Sequence, residues 1–484
     1  MPGPLWPRLL AQAWAALGVD PHGSPLPADL VVTGEPGHLP SRLPVEDTAI
    51  ACAGAALLAA AALHEQRSGD LGRRGHAAPS VRVDRGQVAA AFRSEAHLRL
   101  NGEASGAGFA PLSRFWRAAD GWVRTHGNYP WHREALLRAL GTSGDPESVS
   151  AAIAGRGARE VEDVVVAAGG VAAAVRSQAE WLAEPPGRAV AATALVEGAL
   201  VGGALVEGGV IDGAPPRRGH AGPRPASGIR VLDLTRVIAG PVATRYLAAL
   251  GADVLRLDPP DRPELAQQCY DGLLGKRSAL LDLGTRDGAA RFHELLGAAD
   301  VLVHGYRPHA LDRFGLTPDA LAERHPGLVV VSLSAWGSTG PWGGRRGFDS
   351  IVQAACGIAV TEGGDRPGAQ PGARPGALPC QLLDHGTGYL CAAAALRALA
   401  AQSDRGGTHV RELGLARTAH WLLGQPREPA AASVDGDPDP AWLTVVASAD
   451  GPVTVVRPPG RLGGQDLGWP PTLTRYGGDP PSWR

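Results

Sequence analysis

The chain of 484 residues is too long for one ordinary hydrophobic core and predicts two or three domains. Its 44% hydrophobic content is ordinary for a globular protein, and a net charge of -2 supplies neither a basic nucleic-acid face nor an acidic solvating tail. Five cysteines (Cys52, Cys269, Cys356, Cys380, Cys391) are scattered with no CxxC pair, which argues against a disulfide framework and a zinc site and for a reducing, cytoplasmic setting.

Met1-Pro2-Gly3-Pro4 and the amphipathic stretch Leu5 to Leu17 lack the continuous apolar run of a signal peptide. The longest apolar run, Ala49 to Leu63, is mostly alanine and shorter than the roughly 20 residues that a bilayer needs. It reads as a buried helix, and no membrane partner is expected. Residues 206–227 form a Gly/Pro/Arg-rich linker. After it the pattern is α/β. Gly228 to Leu234 is an apolar strand, the turn Thr235 to Pro241 follows, and a helix runs to Leu250. Ala252 to Leu257, Asp300 to His304 and Gly327 to Leu333 supply further strands with helices between them. This alternation implies a parallel, Rossmann-like sheet, whose ligands sit where strand ends meet helix N-termini. The turn Thr235–Pro241 is such a place, although it is not GxGxxG. Residues 361–379, with five Gly and four Pro, form a long loop, and the tail after Gly424 is Pro-rich.

Two segments echo each other. Pro44-Val45-Glu46-Asp47-Thr48 opens an Ala-rich helix to Leu63, and Leu382-Leu383-Asp384-His385-Gly386-Thr387-Gly388 opens another to Leu399. Each is an aspartate at the start of a buried helix. The bland account is that Ala-rich helices look alike.

Residues 228–424 resemble the family III CoA transferases, which include formyl-CoA transferase, the carnitine CoA transferases and α-methylacyl-CoA racemase. The resemblance is carried by Gly228 to Pro241, by Leu250-Gly251-Ala252-Asp253-Val254, by Gly275-Lys276-Arg277-Ser278 with Leu280 to Leu283, and by Ala299 to Pro308 with Leu311 to Leu316. In the N-terminal half, Asp120 to His126, Arg133 to Leu137 and Glu180 to Ala183 resemble the family's smaller domain. That domain normally follows the helix opened by the catalytic aspartate, and here it follows the helix opened by Asp47. The chain therefore reads as two incomplete copies: a partial copy over 1–99, a small domain over 100–205, a linker over 206–227, a Rossmann-like CoA-binding and catalytic domain over 228–424 and a Pro-rich tail over 425–484.

The resemblance implies an enzyme that moves coenzyme A from an acyl-CoA donor to a carboxylic acid, with CoA as co-substrate and no metal. It makes Asp384 the nucleophile, through an aspartyl intermediate. A carboxylate attacks when ionised and departs readily from an anhydride, and N–H donors at a helix start support its charge. Without the resemblance, Asp384 reads as a helix cap. For CoA the resemblance points to Arg236, Val237, Ile238 and Ala239, to Arg313 as a phosphate partner, and to Lys276 and Arg277 near the diphosphate. Gly386 and Gly388 would permit close approach of a ligand. Racemases of this family carry a Gly-His-Asp motif, and the matching residues are Gly347-Phe348-Asp349, so a racemase lacks its second base. The rival readings are an acyl-CoA racemase or isomerase and a non-catalytic acyl-CoA-binding protein. Family members are interlocked homodimers; a homodimer is implied here too, unless the two partial copies complete each other within one chain.

Overall fold

The computed structural model of the chain describes residues 3–18, 25–69, 79–104, 108–201, 204–206, 209–211, 222–363, 374–427 and 437–484. Residues 207–208 and 212–221 of the expected linker, and 364–373 of the expected Gly/Pro-rich loop, lie outside the described residues.

Seven strands make the large sheet: β1 (Glu197–Val201), β2 (Arg230–Leu234), β3 (Asp253–Asp258), β4 (Arg277–Leu280), β5 (Val301–His304), β6 (Val329–Ser334) and β7 (Thr408–Gly414). Their order is β4-β3-β2-β5-β6-β7-β1, with β2 to β7 parallel and β1 antiparallel at the edge. The strands read as unbroken apolar runs because both faces are covered. Val231, Val254, Val303 and Val331 enter one core, whereas Leu232, Leu255, Leu302 and Val330 enter another with Phe292 and Leu296. This is the mixed α/β, parallel-sheet architecture expected from the sequence. The chain reverses direction between β2 and β5, and the crevice outside their carboxyl ends is the switch point where such sheets take ligands.

The two echoing segments fold as long helices, Val45–Gly69 (the Asp47 helix) and Leu382–Arg405 (the Asp384 helix), and pack side by side in the first core. Gln66 Nε2 donates to the Ala400 carbonyl at 3.0 Å, and Cys52 packs beside Gly386, so the helices run parallel. The echo extends further. Leu30–Thr33 and Val81–Asp84 pair in parallel around the Asp47 helix and lead into a helix over Arg85–Ala91. In the same way β6 and β7 flank the Asp384 helix and lead into Leu415–Leu423. The Asp47 helix is long and apolar enough to cross a membrane, but in this fold most of it is buried against its neighbours.

Two further units frame these helices. Phe115–Arg117, Trp122–Thr125 and Ala172–Ala174 form an antiparallel sheet with its own core, which includes Trp116, Leu136, Val161 and Val165. The Pro-rich residues at the C-terminal end supply a hairpin, Leu443–Ser448 with Gly451–Val456, which pairs with Arg99–Leu100. Arg461–Leu462 then pairs with Val81–Asp84, so this stretch completes sheets begun in the first hundred residues.

Candidate active site

The switch-point crevice opens into a cleft of about 470 Å³. One wall is the turn after β2, with Arg236, Val237 and Ala239; the second is the loop after β5, with Tyr306, Arg307 and Arg313; the third comes from the small unit, with Tyr129, Trp131 and His132. Arg262, Arg345 and Arg346 complete a basic lining, and Asp384 stands at its floor. The Trp131 ring has the Arg262 guanidinium at 5.0 Å and the Arg236 guanidinium at 5.7 Å. Asp384 also borders a second, smaller cavity of about 80 Å³ with His126, Asn128, Ile238, Phe348 and Ser350. Val237, Phe348 and Asp384 line both spaces.

Asp384 lies in the first turn of its helix and is only 6% exposed. Its backbone N–H donates to Asp349 Oδ2 at 3.0 Å, and the other Asp349 oxygen accepts from Gln353. Burial, the Asp349 carboxyl and Glu95 hold Asp384 well above the usual carboxylate range. Burial likewise raises Asp349, to about 6. Glu95 is different. Burial alone would raise it, but His385, with Nε2 at 3.0 Å from Glu95 Oε2, overrides that and holds Glu95 below its ordinary range. A carboxyl that holds its proton to unusually high pH and borders two cavities has the features of a functional-site candidate.

The turn after β2 is held under strain. Val237 has φ 69°, a left-handed conformation that is rare for a β-branched residue. Its N–H donates to Glu264 Oε2 at 3.0 Å, so this backbone donor is engaged within the protein. Glu264 also accepts from Tyr129 Oη at 2.5 Å and Arg256 at 3.0 Å, and therefore ties the small unit to the turn.

Of the residues singled out in the sequence, Asp384, Arg236, Val237, Ala239 and Arg313 meet in the large cleft, and Ile238 lines the small cavity. Lys276 and Arg277 do not join them. The Lys276 ammonium is buried against Asp233 Oδ2 at 2.8 Å inside the core, and burial lowers its pKa to about 8. Arg277 on β4 reaches Asp253 at 2.9 Å and a carbonyl near the C-terminal end. Gly386 and Gly388 serve helix packing rather than ligand approach. A Cβ on Gly388 would lie 2.4 Å from the Ala239 carbonyl oxygen, and Gly386 packs on Cys52 and Thr418. Asp349, Glu264, His126 and the further arginines carried no separate signal in the sequence. The tract Gly347-Phe348-Asp349 marked their neighbourhood for a different reason.

Asp47 occupies the corresponding end of the other helix, but it opens onto no cavity described for Asp384. The Leu5 N–H donates to its Oδ2 at 2.5 Å and Arg85 lies 3.4 Å from its Oδ1. Neighbouring Glu46 takes Arg85 at 2.9 Å and the N–H groups of Gly37 and His38.

Residues 226–439 match the model of CoA-transferase family III. A probable fatty acyl-CoA transferase of Mycobacterium tuberculosis is 33% identical over 234 residues, covering 45% of this chain and 58% of the relative. An acetyl-coenzyme A transferase of Hypoxylon pulicicidum is 31% identical, covering 48% of this chain and 37% of the relative. A succinyl-CoA–D-citramalate CoA-transferase of Chloroflexus aurantiacus is 35% identical over 158 residues, 30% of this chain and 39% of the relative. The chain thus spans between 37% and 58% of these relatives' lengths.

Proposed function

This chain carries a CoA-transferase family III segment over residues 226–439, and from that premise we propose that it transfers coenzyme A from an acyl-CoA to a carboxylic acid through the Asp384 carboxylate. The observation that carries this reading is the position of Asp384, at the junction of an arginine-lined cleft and a small cavity. The cleft suits a phosphate-rich nucleotide, with Arg236 and Arg313 for charge and Trp131 as a flat platform. The small cavity suits an acyl group.

In this reading Asp384 loses its proton and attacks the thioester carbonyl, forming an acyl-aspartyl anhydride and releasing CoA thiolate. The thiolate attacks the aspartyl carbonyl, expels the donor acid and leaves an aspartyl-CoA thioester. The acceptor carboxylate then displaces CoA thiolate as a mixed anhydride, and the thiolate attacks the acceptor carbonyl and restores Asp384. The first-turn position gives the reacting carboxyl the positive end of the helix dipole. All three walls of the cleft come from one chain, so in this reading the site is complete without a second copy.

Racemisation is disfavoured on two counts. Phe348 cannot carry a proton. The His126 imidazole does stack on it, with ring centroids 3.8 Å apart. However, burial, with His132 and Arg124 nearby, lowers the His126 pKa to about 3, which makes it a poor base for a carbon acid. Intact-protein mass spectrometry after incubation with acyl-CoAs tests the proposal. We expect an adduct, sensitive to hydroxylamine, in the wild type and none in Asp384→Ala. An adduct that survives in the variant moves the nucleophile elsewhere, and tight CoA binding with no adduct from any donor points to a non-catalytic binding protein.

A further inference from the structure

At the opposite end of the large sheet from the switch-point crevice, where β7 begins, lies a cavity of about 300 Å³ whose lining carries Arg405, His409 and Arg411. It shares no lining residue with either space beside Asp384. Arg405 ends the Asp384 helix, and His409 and Arg411, two residues apart on β7, share one face of that strand. Arg411 is only 5% exposed, and its guanidinium donates from Nη1 to the Val410 carbonyl at 2.8 Å. The charges that act on it, Arg397 and Arg405, are both positive, and with burial they lower its pKa. Glu197 also borders the cavity. It stands opposite Glu412 in the β1–β7 register, so its side chain takes the other face of the sheet, where its charge acts on Arg417.

Two details define what such a site would take. Gly198 on β1 stands opposite Arg411, and a Cβ there would fall 2.6 Å from Arg411 Nη1, so the absent side chain is what lets the guanidinium lie across the edge strand. His409 is 1% exposed, and its Nε2 lies 3.1 Å from the Gly406 carbonyl oxygen. A carbonyl only accepts, so Nε2 carries the ring hydrogen. Burial, Arg411 and Arg405 lower the His409 pKa to about 4, which keeps the ring neutral and leaves Nδ1 a bare acceptor. That Nδ1 is buried with no hydrogen-bond partner. The cavity therefore sets guanidinium donors beside one unmet acceptor. A carboxylate or sulfate satisfies the donors alone, because neither carries a hydrogen at neutral pH. A phosphate group that keeps one hydrogen satisfies both.

We propose that this cavity binds a phosphate group that retains one hydrogen, with Arg411 and Arg405 on its anionic oxygens and His409 Nδ1 accepting its P–O–H. The proposal does not depend on the CoA-transfer reading. The bound anion joins the end of the Asp384 helix, β7 and the edge strand β1, and it offsets the mutual repulsion of Arg397, Arg405 and Arg411. It binds the folded chain and so stabilises it.

The test is isothermal titration calorimetry of the full chain at pH 7 with inorganic phosphate, methyl phosphate and sulfate at constant ionic strength, with thermal unfolding alongside. Phosphate should bind roughly tenfold tighter than sulfate and raise Tm, because only phosphate brings the hydrogen that Nδ1 needs. Arg411→Gln should weaken phosphate binding roughly tenfold. His409→Phe should remove the preference over sulfate. Arg313→Gln, in the cleft, should leave phosphate binding as it is, which separates the two sites. If Arg411→Gln fails to fold, Arg405→Gln, at a half-buried position, must still weaken phosphate binding. Methyl phosphate bound as tightly as inorganic phosphate supports the site and identifies its source as a phosphomonoester; weaker methyl phosphate supports it with the free ion as the source. No phosphate binding, sulfate equal to phosphate in the wild type, or phosphate binding that is lost in Arg313→Gln and kept in the arginine and histidine variants of this cavity overturns the proposal and leaves CoA transfer standing.

Discussion

The Asp384 and Asp47 helices start from nearly the same design and end in opposite electrostatic states. Both are long, alanine-rich and packed against each other, and both open with an aspartate in the first turn. At Asp47 the neighbourhood closes on the carboxyl: Arg85 bridges it and Glu46, and the Leu5 N–H takes the remaining oxygen. At Asp384 the neighbours are two other acids, Asp349 and Glu95, and two open cavities. A helix start by itself therefore does not make a nucleophile. What distinguishes the two ends is the charge placed opposite the carboxyl and whether space is left in front of it.

That contrast predicts stability changes of opposite sign at pH 7. Arg85→Ala leaves the Glu46–Asp47 pair without its cation and should destabilise the fold by about 3 kcal/mol, while the acyl adduct on Asp384 persists. Asp384→Asn should abolish the adduct and raise stability by about 1 kcal/mol, because it removes an acid that is unfavourable to ionise where it stands. Urea unfolding followed by circular dichroism, with mass spectrometry on the same samples, reads both. A stabilising Arg85→Ala or a destabilising Asp384→Asn would erase the distinction.

The helices also differ in how tightly their glycines are engaged. A Cβ on Gly388 would meet the backbone carbonyl of Ala239 at 2.4 Å and Val242 at 2.9 Å. A Cβ on Gly54 would crowd a terminal methyl of Leu30 at 2.5 Å, and its other neighbours, on Leu10 and Leu30, are side-chain methyls at an ordinary 3.7 Å. Gly388→Ala must push apart two backbones next to the site, and we expect it to lower stability by about 2 kcal/mol. Gly54→Ala requires one side-chain rotation and gains about 1 kcal/mol of helix propensity, so its net change should stay within about 1 kcal/mol of zero. Thermal denaturation of the two variants side by side checks the ranking.

The parts of this arrangement that were legible in the sequence are the local ones. Apolar runs bounded by glycine and proline marked β2, β3, β5 and β6, and strand-end logic marked the turn Thr235–Pro241, whereas Asp384 as a nucleophile and Arg236–Ala239 as CoA contacts came only from the resemblance, since an aspartate at a helix start reads by itself as a cap. Side-chain direction was not legible. Lys276 and Arg277 are adjacent to a recognisable tract, yet one turns into the core against Asp233 and the other towards Asp253. The glycines after Asp384 suggested room for a ligand, and the structure fills that room with Ala239, Cys52 and Thr418. His126 and Asp349 come beside Asp384 only through tertiary packing of separate units, so no spacing in the chain announces them.

A last test addresses the acid pair itself. Asp349 accepts the Asp384 N–H and, when ionised, opposes ionisation of the Asp384 carboxyl. Asn at 349 keeps an acceptor oxygen and loses the charge. Asp384 should then ionise at lower pH, and the acidic limb of kcat/KM should move down by about one pH unit, equivalent to about 1.4 kcal/mol. The stability profile carries the complementary sign. Asp349 has a folded pKa near 6, above its unfolded value, so its neutral form favours the folded state. Its contribution is therefore present below about pH 4 and is lost as pH rises through about 6. The wild type should lose stability relative to Asp349→Asn across that window, and the two curves should run parallel above it. A pH–rate profile with parallel urea titrations separates the outcomes: an unmoved acidic limb with an altered stability curve would make Asp349 a structural neighbour only, whereas a downward shift of both would make it the group that sets when Asp384 can attack.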